Sequence, residues 1–158
     1  MIKFPEVSTP TRREFCACCT KAAGLVALGA AAGCGGSPTG PSSNAQSLPS
    51  VAATVSGRTV SVSIAAGSPL ASNGGMATTS TSIGSFLLAR TDASSVKVLT
   101  ATCTHEGCTV SGFSGSQFVC PCHGSEFTTA GAVAKGPANR SLQAFNSQVN
   151  GDTLTFTA

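Results

Sequence analysis

The chain has 158 residues, a net charge of +3, 18 Gly, no Trp, no Tyr and charged residues at only 9%. That length suits one domain and leaves no room for two sizeable cores, and small and β-branched residues favour short strands and turns over long amphipathic helices. Lys3, Arg12, Arg13 and Lys21 against Glu6 and Glu14 leave +2 before residue 34, and the remaining charged residues leave +1. A nearly neutral body without a basic patch gives no reason to invoke nucleic acid as a partner.

The chain begins with an address. Thr11-Arg12-Arg13-Glu14-Phe15 sets two arginines ahead of a Phe, and residues 22–33 form a short apolar run rich in Ala and Gly. Basic start, short apolar middle and small-residue end are the parts of an export signal. The run falls short of the roughly 20 residues that a helix needs to cross a membrane. The arginine pair resembles a twin-arginine signal, read by the pathway that exports folded proteins, with an ordinary secretory signal as the alternative. Ala31-Ala32-Gly33-Cys34-Gly35 resembles a bacterial lipobox, except that Ala31 stands where a larger aliphatic is usual. Cys34 is therefore the candidate for lipidation; cleavage nearby with Cys34 lost, or an uncleaved signal anchor, are the alternatives. Residues 1–34 read as this signal, and Cys16, Cys18 and Cys19 belong to it rather than to a ligand set. Residues 35–48, which include Gly35-Gly36-Ser37-Pro38-Thr39-Gly40-Pro41, have the composition of a flexible tether.

The folded domain is expected over residues 49–158. Val60, Val62 and Ile64 alternate as a half-buried strand requires, predicting strands over residues 51–55 and 59–64. Residues 85–90 and 96–101 flank the turn-rich Thr91-Asp92-Ala93-Ser94-Ser95 and read as a hairpin. Residues 109–113 and 117–119 form another across Ser114-Gly115-Ser116. The clearest pair is 144–149 with 153–156, joined by Asn150-Gly151, the strongest short hairpin signal. The expectation is all-β: a small antiparallel β sandwich.

Two segments carry the chemistry: Cys103-Thr104-His105-Glu106-Gly107-Cys108 and Cys120-Pro121-Cys122-His123-Gly124-Ser125, which hold the only two histidines in the protein. Each offers a Cys and a His as candidate ligands, and each has a cysteine left over. Two sulfurs and two imidazole nitrogens could hold one zinc in tetrahedral geometry. Zinc fingers, however, usually take two cysteines from one element and two histidines from another. One Cys and one His per loop suits a binuclear cluster better, and the spare thiols suggest a clamp. A core poor in aromatics would gain stability from both.

C-T-H-E-G-C followed by C-P-C-H-G-S-E-F resembles the signature of Rieske iron–sulfur proteins, over about residues 85 to 158. The resemblance implies a Rieske-type sandwich with a cluster-binding subdomain of two loops and one [2Fe–2S] cluster. Cys103 and Cys120 would bind one iron, and His105 and His123 the other. Cys108 and Cys122 would form a disulfide between the loops, a feature of the quinol-oxidising subunits of cytochrome bc-type complexes and of some arsenite oxidase small subunits. Gly136, Pro137 and Ala138, within Gly136-Pro137-Ala138-Asn139-Arg140-Ser141-Leu142, are similar to the loop that covers the cluster. Ser125 stands where a hydroxyl can donate to a bridging sulfide, and Phe127 where high-potential members have a Tyr that donates to a ligand sulfur. Losing such a donor lowers the potential, so the resemblance implies a value in the Rieske range of roughly −150 to +300 mV but below the fully hydrogen-bonded members. Leu142 and Phe145 read as core or cover, and Glu106 and Glu126 as loop charges able to tune the potential.

The implied function is electron transfer from quinol, beside a cytochrome b-type subunit, to a cytochrome c-like acceptor. The protein would be exported and tethered on the periplasmic or extracytoplasmic side of the membrane, where a disulfide persists. An electron-transfer subunit or free carrier for another periplasmic oxidoreductase is the alternative, and a non-redox zinc or disulfide module the third reading.

Overall fold

A computed structural model describes residues 45–158, so Arg12, Arg13, the apolar run, Cys34 and residues 35–44 of the tether lie outside the described residues. Among the described residues the regular structure is strand alone, and no helix is long and apolar enough to cross a membrane. The strands are β1 (Gln46–Ser47), β2 (Ala53–Ser56), β3 (Thr59–Ser63), β4 (Met76–Thr81), β5 (Gly84–Asp92), β6 (Ser95–Thr100) and β7 (Gly112–Ser114), then β8 (Gln117–Val119), β9 (Glu126–Thr128), β10 (Val133–Lys135), β11 (Ala144–Phe145), β12 (Ser147–Asn150) and β13 (Thr153–Thr157). They form three antiparallel sheets, ordered β12-β13-β3-β2, β11-β6-β5-β4 and β1-β7-β8-β9-β10.

The run Phe86-Leu87-Leu88-Ala89 in β5 is buried throughout, and alternation along the strand explains how. Phe86 and Leu88 join Val96 and Val98 of β6 in a core shared with Val60, Val62, Leu154 and Phe156 of the first sheet. Leu87, Ala89 and Leu99 point the other way, into a core with Phe118, Phe127, Cys103 and Cys120. The β5–β6 sheet thus has an apolar face on each side, and a continuous apolar run is what a strand covered on both faces requires. Each large side chain buried this way contributes about 1.5–3 kcal/mol before entropy is counted.

Several bounds differ from the sequence expectation. The strand expected over 144–149 is two: β11 pairs with β6, and after Asn146 the chain changes sheets so that β12 pairs with β13. The turn that closes that last hairpin is Gly151-Asp152, one residue later than expected, since Asn150 still pairs with Thr153; Gly151 has φ 57°. Most of 109–113 is loop, with one isolated bridge between Thr102 and Thr109 before β7 begins. β4, β9 and β10 were not expected, because short Thr-rich or three-residue strands carry little periodicity. The tether read over residues 35–48 ends earlier than expected: Gln46 and Ser47 pair with β7, and Leu48 is buried in the core that also holds Cys103 and Cys120.

Candidate metal centre

Both cysteine–histidine segments project from the sheets as loops. The first follows β6 and leads to β7; the second joins β8 to β9. They are built alike. In the first, Cys103 N–H donates to the Cys108 carbonyl at 2.8 Å and Gly107 N–H returns to the Cys103 carbonyl at 2.9 Å. In the second, Cys120 N–H donates to the Ser125 carbonyl at 2.8 Å and Gly124 N–H to the Cys120 carbonyl at 3.0 Å. Gly107 and Gly124 close the two turns at φ 76° and 71°, a left-handed conformation that costs other residues about 1–2 kcal/mol. The repeat was visible in sequence as Cys103 to Gly107-Cys108 against Cys120 to Gly124-Ser125, and the sequence reading passed over it.

The Cys108–Cys122 disulfide implied by the resemblance is present, with Cα atoms 6.5 Å apart. Its sulfurs and Cys120 Sγ lie within 4.8 Å of one another. Being oxidised, Cys108 and Cys122 offer no thiolate, so the thiols left to serve as candidate donors among the described residues are Cys103 and Cys120, both free and both buried. Burial pushes the Cys120 thiol up; the backbone N–H groups of Cys122 and His123 oppose this, and the neighbouring Cys103 adds to it. A metal ion removes that proton outright and gives the buried sulfur a counter-charge.

The imidazoles face the other way. His105 and His123 are 28% and 48% exposed at their side chains, with ring centroids 5.0 Å apart and planes near perpendicular. Sulfur inside and nitrogen outside is an arrangement for two metal ions of unlike surroundings rather than for one. Glu106, 62% exposed, lies between the rings: Oε1 is 3.8 Å from His105 Nε2 and Oε2 is 3.7 Å from His123 Nδ1.

The third loop is tied to both others. Thr104 Oγ1 donates to the Arg140 carbonyl at 2.5 Å, and Ala138 N–H donates to Ser125 Oγ at 3.0 Å. The Gly136-Pro137 bond is cis, and Ala138 and Leu142 are buried in the core under the loops. Ser125 is fully buried. Its oxygen accepts from Ala138, and its own proton has no acceptor among the described residues. A buried hydroxyl with a proton to give, beside two buried thiols, fits an inorganic sulfide held at this place. Neither Thr104 nor Arg140 was singled out from sequence, since an isolated hydroxyl and a carbonyl carry no pattern.

Phe127 is buried in the same core as the two thiols. Phe145 packs in the other core, edge-on to Phe86 at 5.3 Å, away from any ligand role. Glu126 pairs with Lys135 Nζ at 3.1 Å across β9 and β10. A cleft of about 600 Å³ beside His105 is lined by Thr102, Thr104, Glu106, Arg140 and Gln143. A larger hollow of about 860 Å³ at Phe145 and Phe156 touches none of these loops and has no Cys or His in its lining.

Comparison with known proteins places the chain in a family. The family described as Rieske [2Fe-2S] domain matches residues 61–146. The cytochrome b6-f complex iron-sulfur subunit of Cyanothece sp. (strain PCC 7425 / ATCC 29141) is 47% identical over 60 residues, covering 37% of this chain and 34% of that protein. That of Trichodesmium erythraeum (strain IMS101) is 48% identical over 61 residues, with the same coverage. The chain's match thus spans about a third of the length of these relatives. A chain in the complex of reduced oxygenase and oxidized ferredoxin in carbazole 1,9a-dioxygenase shares the fold, with a TM-score of 0.53 at 20% identity over 65% of this chain and 94% of that one.

Proposed function

Since the chain belongs to the Rieske [2Fe-2S] domain family, we propose that it is an electron-transfer protein, taking electrons from quinol beside a cytochrome b-type subunit and passing them to a cytochrome c-like acceptor. The family's cofactor is one [2Fe–2S] cluster, which when bound supplies one-electron redox chemistry. The observation that carries the reading is the sorting of donors: two free buried thiols and two partly exposed imidazoles on loops clamped by a disulfide.

Cys103 and Cys120 would hold one iron from within the core, and His105 and His123 the other at the surface. The exposed imidazole edges keep one side of the site within reach of a partner, and a ring nitrogen not bound to metal can hold or accept a proton there. Ser125 would give its proton to cluster sulfur, and the loop of Gly136, Pro137 and Ala138 would keep water off the site. The disulfide supports an exported domain, because such bonds persist in oxidising compartments. In this reading residues 1–34 direct export, Cys34 carries the lipid and the tether holds the domain at the membrane. The names of the relatives, subunits of a cytochrome complex, support the partner class.

Stopped-flow mixing tests the reading. The reduced holoprotein is expected to lose one electron per chain to a c-type cytochrome, and the oxidised protein to be reduced by a short-chain quinol with its partner subunit present. Failure of both transfers by a protein with its cluster intact would overturn it.

A further inference from the structure

The two acids beside the ligand loops differ in a way that sequence could not resolve. Glu126 is spent on Lys135 Nζ at 3.1 Å, so its charge is compensated. Glu106 meets no lysine or arginine at ion-pair distance among the described residues; what it meets is the two imidazoles, one with each carboxylate oxygen. From this geometry we propose that the Glu106 carboxylate, set beside both His105 and His123, holds the midpoint potential of the site down.

The inference rests on the cluster reading above and follows from elementary electrostatics. Glu106 faces Nε2 of His105 and Nδ1 of His123, so what it brings to both rings alike is its charge. Here one carboxylate serves two rings. At 3.7–3.8 Å its contacts are too long for direct hydrogen bonds, so it acts through its field or through a bridging water. A negative charge at this place favours the more positive, oxidised state of whatever the imidazoles hold. Arg140 lines the same cleft and opposes this, but it forms no ion pair with Glu106. Exposure limits the effect: at a dielectric between that of water and a protein surface, one charge at this range changes the ratio of oxidised to reduced protein by about three- to tenfold.

The test compares the wild-type holoprotein with Glu106→Gln, Glu106→Lys and Glu106→Asp by protein-film voltammetry, with iron content and EPR spectra taken on the same samples. Glu106 is exposed and outside both cores, so these changes leave the fold alone. The expected order is wild type below Gln below Lys, with the first step about three- to tenfold in the redox ratio, tenfold being about 59 mV for one electron. Asp, which keeps the charge, stays close to wild type. A Gln variant at or below the wild-type potential with its cluster intact overturns the role of Glu106 and leaves the cluster reading standing. A wild-type protein without a Rieske-type EPR signal overturns the cluster reading, and this inference with it.

Discussion

Phe127 lies fully buried in the core that contains both free thiols, paired across the sheet with Phe118 and Val133. By the family resemblance, a ring without a hydroxyl there would leave out one donor to cluster sulfur. Phe127→Tyr is therefore expected to raise the midpoint potential in voltammetry; an unchanged potential in a variant that still folds contradicts the placement of that ring against a ligand sulfur. Thr79 has the opposite fault. Its Oγ1 is buried and has no hydrogen-bond partner. Thr79→Val, which removes the hydroxyl and keeps the shape, is expected to stabilise the domain by about 1 kcal/mol in urea unfolding; a loss of stability would show that the hydroxyl has a partner. The candidate ligand residues stand out in the sequence because His is rare and the Cys–His spacing is constrained. Thr79, Thr104 and the Ser125–Ala138 contact do not, since burial and long-range hydrogen bonds leave no mark on a single sequence.

The two loops act as one element because three links join them: the disulfide, and the ties from Thr104 and Ser125 to the loop around Pro137. Closing a separation of 14 residues, the disulfide is worth about 3 kcal/mol by the chain-entropy account. Replacing Cys108 and Cys122 together by Ala is expected to lower apoprotein stability by about that amount, and to speed cluster loss from the holoprotein at a fixed temperature. Equal stability and equal cluster lifetime would mean that the hydrogen bonds hold the loops without it. Strands with clear alternation or a marked turn, such as β2, β3, β5, β6 and β13, were readable in advance within about two residues. The break at Asn146 and the pairing of β1 with β7 depend on which sheet a strand joins, and local pattern does not specify that.

In the folded domain one apolar face of the β5–β6 sheet covers the first sheet and the other supports the loops, so the two free cysteines grow out of a core rather than sitting on a surface. That division of labour gives buried thiols and exposed imidazoles from loops of nearly the same shape. The disulfide was legible because the loop signature is long and chemically restrictive, and the all-β architecture because the strands alternate and the turns are marked. The two apolar cores on either side of the β5–β6 sheet and the entry of Leu48 into the loop core were not, because they depend on tertiary contacts. The central claim is that Cys103 and Cys120 hold one iron and His105 and His123 the other. EPR of the reduced holoprotein with nitrogen hyperfine resolution, alongside iron and sulfide counts, tests it most directly. About two irons and two sulfides per chain are predicted, with couplings to two imidazole nitrogens that fall to one in His105→Cys or His123→Cys. A spectrum without nitrogen coupling, or a chain loaded with a single zinc, would contradict the account.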